Sequence, residues 1–234
     1  GYDAVFAFGS AYVRVLDRLY SAGFTDRLVI EGSSTPLFRY DPAGFNHLMV
    51  GTAALSDFMT ASGVENGRQN LDGMTFRQEP PVGGVPIESF VVRYSGAIYN
   101  RWQYDPAAGE WLRFADSADD PYSGLGEQYE QAVDRLTGEP LSFDTVVVIQ
   151  VVHENYDVEV WDIQLLGSGK AYVFRDGQMY VAQWVRNPDS VISLLNDDGT
   201  PFPFKPGETW FEIIGQYSTV ETTDTGLRFI HRMP

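Results

Sequence analysis

The stretch from Leu166 to Asn187 limits the fold of this chain more than any other. Tyr172-Val173-Phe174 and the run from Gln178 to Val185 are β-branched and aromatic, and such residues favour strand. Between them stands Arg175-Asp176-Gly177-Gln178. Its Asp-Gly pair suits a tight primed turn, because both central residues of that turn need φ > 0. The preceding Gly167-Ser168-Gly169-Lys170 looks superficially like a phosphate-binding loop. Such a loop requires a glycine where Gln164 stands, a hydroxyl residue where Ala171 stands, and a helix afterwards. All three are missing, so the segment predicts a β-hairpin.

The rest of the chain extends this β character unevenly. Tyr2 to Phe8 predicts a strand, Gly9-Ser10 a turn and helix N-cap, Ala11 to Ala22 an amphipathic helix closed by Gly23, and Leu28-Val29-Ile30 a second strand. That order is a β-α-β unit of the parallel, right-handed kind. A second helix is expected over Val50 to Ala61, with Gly51 or Thr52 at its start and Gly63 after it. The proline- and glycine-rich run 78–86 cannot be the interior of a regular element and marks a boundary. Beyond it, strands are expected over 89–94, 98–104, 110–114, 145–152, 158–166 and 210–214. Turns at Asp105-Pro106, 155–157, Asp198-Gly199 and Pro206-Gly207 punctuate them. Thr145 to Ile149 is apolar without alternation, as befits a strand covered on both faces. An acidic insertion, 116–144, is expected to carry a short helix near 127–136. No repeat period is visible. The predicted fold class is α+β: an N-terminal β-α-β lobe (1–80) followed by a predominantly antiparallel, β-rich lobe with hairpins (87–234).

Composition narrows the function. A chain of 234 residues and 26.2 kDa buries roughly 70% of its unfolded surface without a staple. Its 44% hydrophobic content is that of an ordered protein. No apolar run approaches the ~20 residues of a membrane helix, so direct membrane insertion by this segment is not expected. Thirty-two acids against 16 bases give a formal charge of −16, which disfavours nucleic acid and anionic lipid as partners. Only Lys170 and Lys205 are lysines and the other 14 bases are arginines. This bias suits paired carboxylates and anions, and genomic base composition explains it equally well. The absence of cysteine excludes thiol catalysis, disulfides and cysteine-ligated metals. A chain opening at Gly1 without initiator Met or signal sequence reads as a processed form or fragment, so the lack of a signal fixes no compartment.

An ordered set of residues resembles the YerB-like lipoprotein family of bacteria, a domain of unknown function. In the C-terminal half these are Tyr104-Asp105, Thr137-Gly138, Val147-Val148-Ile149-Gln150, Gly167 to Ala171, Asp176-Gly177, Trp184 with Arg186, and Pro206-Gly207-Glu208-Thr209-Trp210. The first lobe adds Tyr2 to Val5, Gly9-Ser10, and Phe38-Arg39-Tyr40-Asp41 before Asn46-His47. The resemblance covers nearly the whole chain, with three departures. The family's arginine-rich stretch ahead of the first strand is not matched, so its role does not carry over. Phe45 rather than proline precedes Asn46, and the acidic insertion is longer. The resemblance implies an extracytoplasmic, lipid-anchored protein whose anchor lies upstream, and it implies no activity.

Each candidate site residue has two readings. Ser10 lacks the G-x-S-x-G elbow of a hydrolase, and helix capping accounts for it. His47, His153 and His231 form no H-x-x-x-H pair, and Asn155, Asp157 and Glu159 match no calcium loop. No catalytic, cofactor or metal residues are therefore assigned. Asn46 and His47 are ligand-binding candidates because the resemblance places them in a matching motif; a helix-start histidine is the alternative. Arg93, Arg101, Arg113, Arg175 and Arg186 recur on successive strands beside Tyr99, Trp102, Trp111, Tyr180 and Trp184. Alternation puts Tyr99 with Arg101 on one face, Trp102 on the other, and Tyr180, Trp184 and Arg186 together. Arginine forks beside flat rings suit a carboxylate-bearing sugar or peptide. The other reading pairs the arginines with the chain's own acids and buries the rings. The ligand-binding set is Asn46, His47, Arg101, Trp102, Tyr180, Trp184 and Arg186. The expected function is a cell-envelope binding or scaffolding module whose partner is a wall fragment, a peptide or an envelope protein. The alternative is a carboxylate-dependent hydrolase of wall polymer, for which no Asp/Glu pair stands out.

Overall fold

The strand Thr145–Val151 has both faces covered. Val146 and Val148 enter one core, while Val147, Ile149 and Val151 enter another. In the computed structural model, which describes residues 4–23, 25–41, 47–65, 67, 70–134, 137–158 and 160–234, this strand is shared by two layers of packing. The chain divides into two units: Gly1–Leu71 with Asn155–Val160, and Asp72–Glu154 with Trp161–Pro234.

In the first unit, β1 (Phe6–Phe8) pairs in parallel with β2 (Leu28–Ile30), and α1 (Val13–Ser21) lies between them in sequence. The ribbon β3 (Phe38–Arg39) with β4 (Leu48–Met49) precedes α2 (Thr52–Ala61). Val29, Leu37 and Met59 form the small core. Ser10 does not cap α1: the N-cap position is Tyr12, with no side-chain capping bond. The chain stays non-helical through 11 and 12, which leaves the Ser10 hydroxyl too early to reach the first free amides. Gly23 does close the helix, at φ 77°.

In the second unit, β5 (Val85–Pro86), β6 (Ser89–Arg93), β7 (Tyr99–Asp105) and β8 (Glu110–Ala118) are followed by α3 (Asp120–Ser123) and β9 (Gln128–Gln131). Then come β10 (Ser142–Phe143), the shared strand β11 (Thr145–Val151), β12 (His153–Asp157) and β13 (Val160–Ile163), of which Asn155–Val160 is assigned to the first unit, and β14 (Gly167–Arg175). The chain ends with β15 (Gln178–Arg186), β16 (Ser193–Leu195), β17 (Thr209–Gly215), β18 (Thr219–Thr223) and β19 (Gly226–Ile230). One sheet has the order β10-β8-β7-β6-β19-β18, with β9 also on β8; the other is β16-β15-β14-β11-β17, with β5 also on β15. Most pairs are antiparallel, but β11 with β17 and β19 with β6 run parallel. The two sheets pack face to face over Phe90, Trp102, Trp111, Tyr172, Phe174 and Phe229. Phe90 stacks on Phe174 with ring centroids 3.6 Å apart. Two expectations are corrected. Residues 128–131 are strand rather than helix, because they pair with β8 and turn Tyr129 onto Tyr99; Arg135 and Leu136 lie outside the described residues. Asn155 and Asp157 stand on β12 rather than in a turn, and Glu159 lies outside the described residues.

The hairpin turn is the primed one, with Asp176 at φ 52° and Gly177 at φ 68°. A Cβ on Gly177 would also strike the Tyr104 ring. Gly169, in the phosphate-loop lookalike, sits in β14 opposite Trp184. A Cβ there would meet the indole nitrogen and the Gln150 carbonyl, which the indole N–H reaches at 2.9 Å. Beside the turn, Arg175 is wholly buried and donates to the carbonyls of Arg77, Gln78 and Pro203 and to Asp176. Lys205, also buried, lies 3.8 Å from Asp176 and 3.1 Å from Asp144, and donates to the Gly109 carbonyl. Replacing Arg175 by Met strands these acceptors, and removing one partner of a buried network costs roughly 3–5 kcal/mol. Urea unfolding should show that loss; a loss below about 1 kcal/mol, typical of surface pairs, would contradict the role.

Candidate functional site

Cross-strand register builds an arginine face on the outer side of the first sheet. Arg228 on β19 lies opposite Val91, Val91 opposite Arg101 on β7, and Arg101 opposite Phe114 on β8. Directly paired residues share a face, and so do alternate residues along a strand. Arg93, paired with Tyr99, therefore joins the same surface. Glu127, ahead of β9, accepts from Arg93 Nε at 2.9 Å, from both terminal nitrogens of Arg228, and from the Tyr129 hydroxyl. Arg93 also donates to Asp120 at 2.8 Å. Burial alone would push the Glu127 carboxyl up. The bonds from Arg228, Tyr129 and Arg93 outweigh it and hold the group below the ordinary carboxylate range. Burial and the Glu127 carboxylate push the Tyr129 hydroxyl up, so it stays a neutral donor.

Arg101 differs from its neighbours. Its guanidinium lies 4.6 Å from the Phe114 ring centroid and 4.9 Å from that of Tyr129. Its Nε is buried without a hydrogen-bond partner, and among the described residues no carboxylate pairs with it. Stacking on rings engages the faces of the guanidinium and does not use its N–H edge. The result is a partly buried, uncommitted arginine beside two arginines bridged by one glutamate.

The other sequence candidates are scattered. Trp102, Tyr180 and Trp184 are 0%, 5% and 2% exposed. They fill the two cores. Their polar ends are used internally: Trp102 donates to Glu212, Tyr180 to the Pro81 carbonyl and Trp184 to the Gln150 carbonyl. Arg186 donates to the carbonyls of Ser190 and Leu165, closing a loop. His47, in the first unit, stacks on Tyr40 at 4.6 Å. Its Nδ1 is 3.2 Å from Asp41, an electrostatic contact when the imidazole is protonated rather than an aligned hydrogen bond. Asn46 lies outside the described residues. Sequence reasoning missed Arg228, Glu127 and Tyr129. Arg228 alternates with Phe229 in a strand-like run, a usable signal; Glu127 carried none.

Glu212 also escaped the sequence. It is 3% exposed, between the sheets, and accepts from the Tyr94 hydroxyl at 2.7 Å and Trp102 Nε1 at 3.0 Å. Burial pushes its carboxyl up despite these bonds. Among the described residues no second carboxylate is a hydrogen-bond partner of Glu212. His153 and His231 come within 5.5 Å of each other, and burial and His153 hold His231 below its usual range. Among the described residues no three metal-ligating side chains converge.

A family model described as "Protein of unknown function (DUF3048) C-terminal domain" matches residues 90–211. The chain belongs to that family. Its relative "Putative lipoprotein YerB" of Bacillus subtilis (strain 168) is 29% identical over 82 residues, which are 35% of this chain and 24% of the relative. The aligned segment thus spans about a quarter of that protein. The crystal structure of YerB protein from Bacillus subtilis superposes with a TM-score of 0.70 over 91% of this chain and 68% of that one, at 19% identity. That likeness shows a shared fold, and with the family match it makes this a YerB-like chain.

The raised carboxyl of Glu212 gives a pH signature. Its neutral form stabilises the fold fully below the unfolded value of about 4.3, and that contribution is lost as pH rises through the folded value. Glu212→Gln should flatten the decline in stability above pH ~4.3, measured by denaturation at several pH values. An unchanged decline would mean the carboxyl ionises freely.

Proposed function

We propose that this YerB-like chain is an extracytoplasmic, cell-envelope binding module whose arginine face takes a carboxylate of a wall fragment or wall peptide. The observation that carries this reading is Arg101, held between the rings of Phe114 and Tyr129 without an ion-pair partner among the described residues. A planar fork kept rigid by stacking loses little freedom on binding and matches a carboxylate with two parallel hydrogen bonds. Arg93 and Arg228 sit on the same face, where Glu127 and Asp120 balance their charge, so Arg101 is the cation left over for an anion. Phe114 and Tyr129 add flat apolar surface for a sugar ring or side chain.

The description of the Bacillus relative as a lipoprotein supports an extracytoplasmic location held at the membrane by a lipid-modified segment upstream. No helix among the described residues is long and apolar enough to cross a membrane. In this reading the module works tethered beside its polymer, where a modest affinity suffices because effective concentration is high.

Thermal unfolding with soluble wall fragments tests the proposal. A ligand at ~100 times its Kd adds about 2.7 kcal/mol, which should raise Tm by roughly 5–10 °C in a chain of this size. Arg101→Ala should abolish the shift while leaving the unliganded Tm nearly unchanged. Arg186→Ala, which alters an internal loop closure, should keep it. A shift that survives Arg101→Ala, or no shift with any carboxylate-bearing fragment, would overturn the reading.

A further inference from the structure

A second surface, sharing no residue with the arginine face, lies at one end of the sheet sandwich. It is a groove of about 1120 Å³ between the hairpin turn Asp176-Gly177, strand β5 and the β18–β19 turn. Ile87, Met179 and Leu227 form its floor, partly buried and packed against the inter-sheet aromatic core. Val85 stands at its wall, 56% exposed. Cavities of ~300–1,000 Å³ hold drug-sized ligands, so this groove has room for several residues of a peptide.

The charge along the groove has one sign. Among the described residues, the acidic side chains lining it are Glu88, Asp176 and Asp224, and no lysine, arginine or histidine lines it. Asp176 is already neutralised by Arg175 and Lys205. Glu88 and Asp224 are exposed, and among the described residues neither has an ion-pair partner. Two free carboxylates above an apolar floor complement a cation carried next to an apolar side chain. The backbone offers a further contact. Thr222 and Thr223 line the groove and belong to β18, the last strand of its sheet. The outer edge of such a strand presents N–H and C=O groups to an extended partner.

We propose that this groove binds an extended peptide segment carrying lysine or arginine beside an apolar residue. The ammonium or guanidinium sits between Glu88 and Asp224, the apolar side chain covers Val85 and Met179, and the backbone runs along β18.

Isothermal titration of the whole chain with the blocked tetrapeptide Val-Lys-Val-Lys tests this directly. Its lysine-acetylated counterpart has the same shape without charge and should bind about tenfold or more weakly, as should the wild-type peptide to Glu88→Gln/Asp224→Asn; tenfold is about 1.4 kcal/mol. Because the chain is strongly acidic, the variant Asp57→Asn/Glu65→Gln removes the same charge from the other unit and should bind like wild type. Equal weakening by both double variants would reduce the effect to overall charge and overturn the site. So would equal binding of the acetylated peptide, or no binding by either peptide.

Discussion

A chain of alternating charge running Arg175, Asp176, Lys205, Asp144 holds the β-rich unit in register. Arg175 reaches the backbone at 77, 78 and 203, and Lys205 reaches it at 109. These contacts join segments up to 98 residues apart in sequence. Burying such charges adds little net energy, because desolvation offsets attraction. What it does is penalise every arrangement that leaves one member unpaired. The β14–β15 turn, the 77–78 segment and the start of β11 are thereby placed together. Asp176 and Gly177, fixed in this way, form one lip of the end groove.

The arginine face depends on the same sandwich through its other side. Phe90, Trp102 and Phe229 point inward and anchor β6, β7 and β19. Because alternate residues point outward, Arg93, Arg101 and Arg228 are carried on a rigid sheet rather than on loops. Glu127 and Tyr129 then decide which arginines are committed. Two are tied down by Glu127, Arg93 by Asp120 as well, and the third is left stacked on rings without a carboxylate among the described residues. Such preorganisation is what binding sites gain from a rigid scaffold.

Local chemistry made the fold partly legible from sequence. The Asp176-Gly177 turn, the two-sided burial of Thr145 to Ile149 and the helix stop at Gly23 each follow from steric or periodic rules within a few residues. The alternation of Tyr180, Ala182 and Trp184 was equally readable, but not which of two faces would be covered. That depends on segments such as 202–204 folding over the sheet from far along the chain. For this reason the sequence alone left both readings of Trp102 and Trp184 open, and in the fold they are core residues. The strand 128–131 was hidden because its pairing with β8 is a tertiary fact that overrides local helix preference. Arg101 was legible as a type of residue on a strand; its distinction from Arg93 rests on Glu127, which no local pattern announces.

The most direct test is to follow the arginine side chains themselves. In a protein labelled with nitrogen-15 at arginine, each Nε–H gives its own signal, assignable by single substitutions. Titration with a carboxylate-bearing wall fragment should move the Arg101 signal first and furthest, with smaller changes at Arg93 and Arg228 and none at Arg175 or Arg186. Movement centred on Arg186, or an Arg101 signal indifferent to the ligand while others shift, would contradict the binding face.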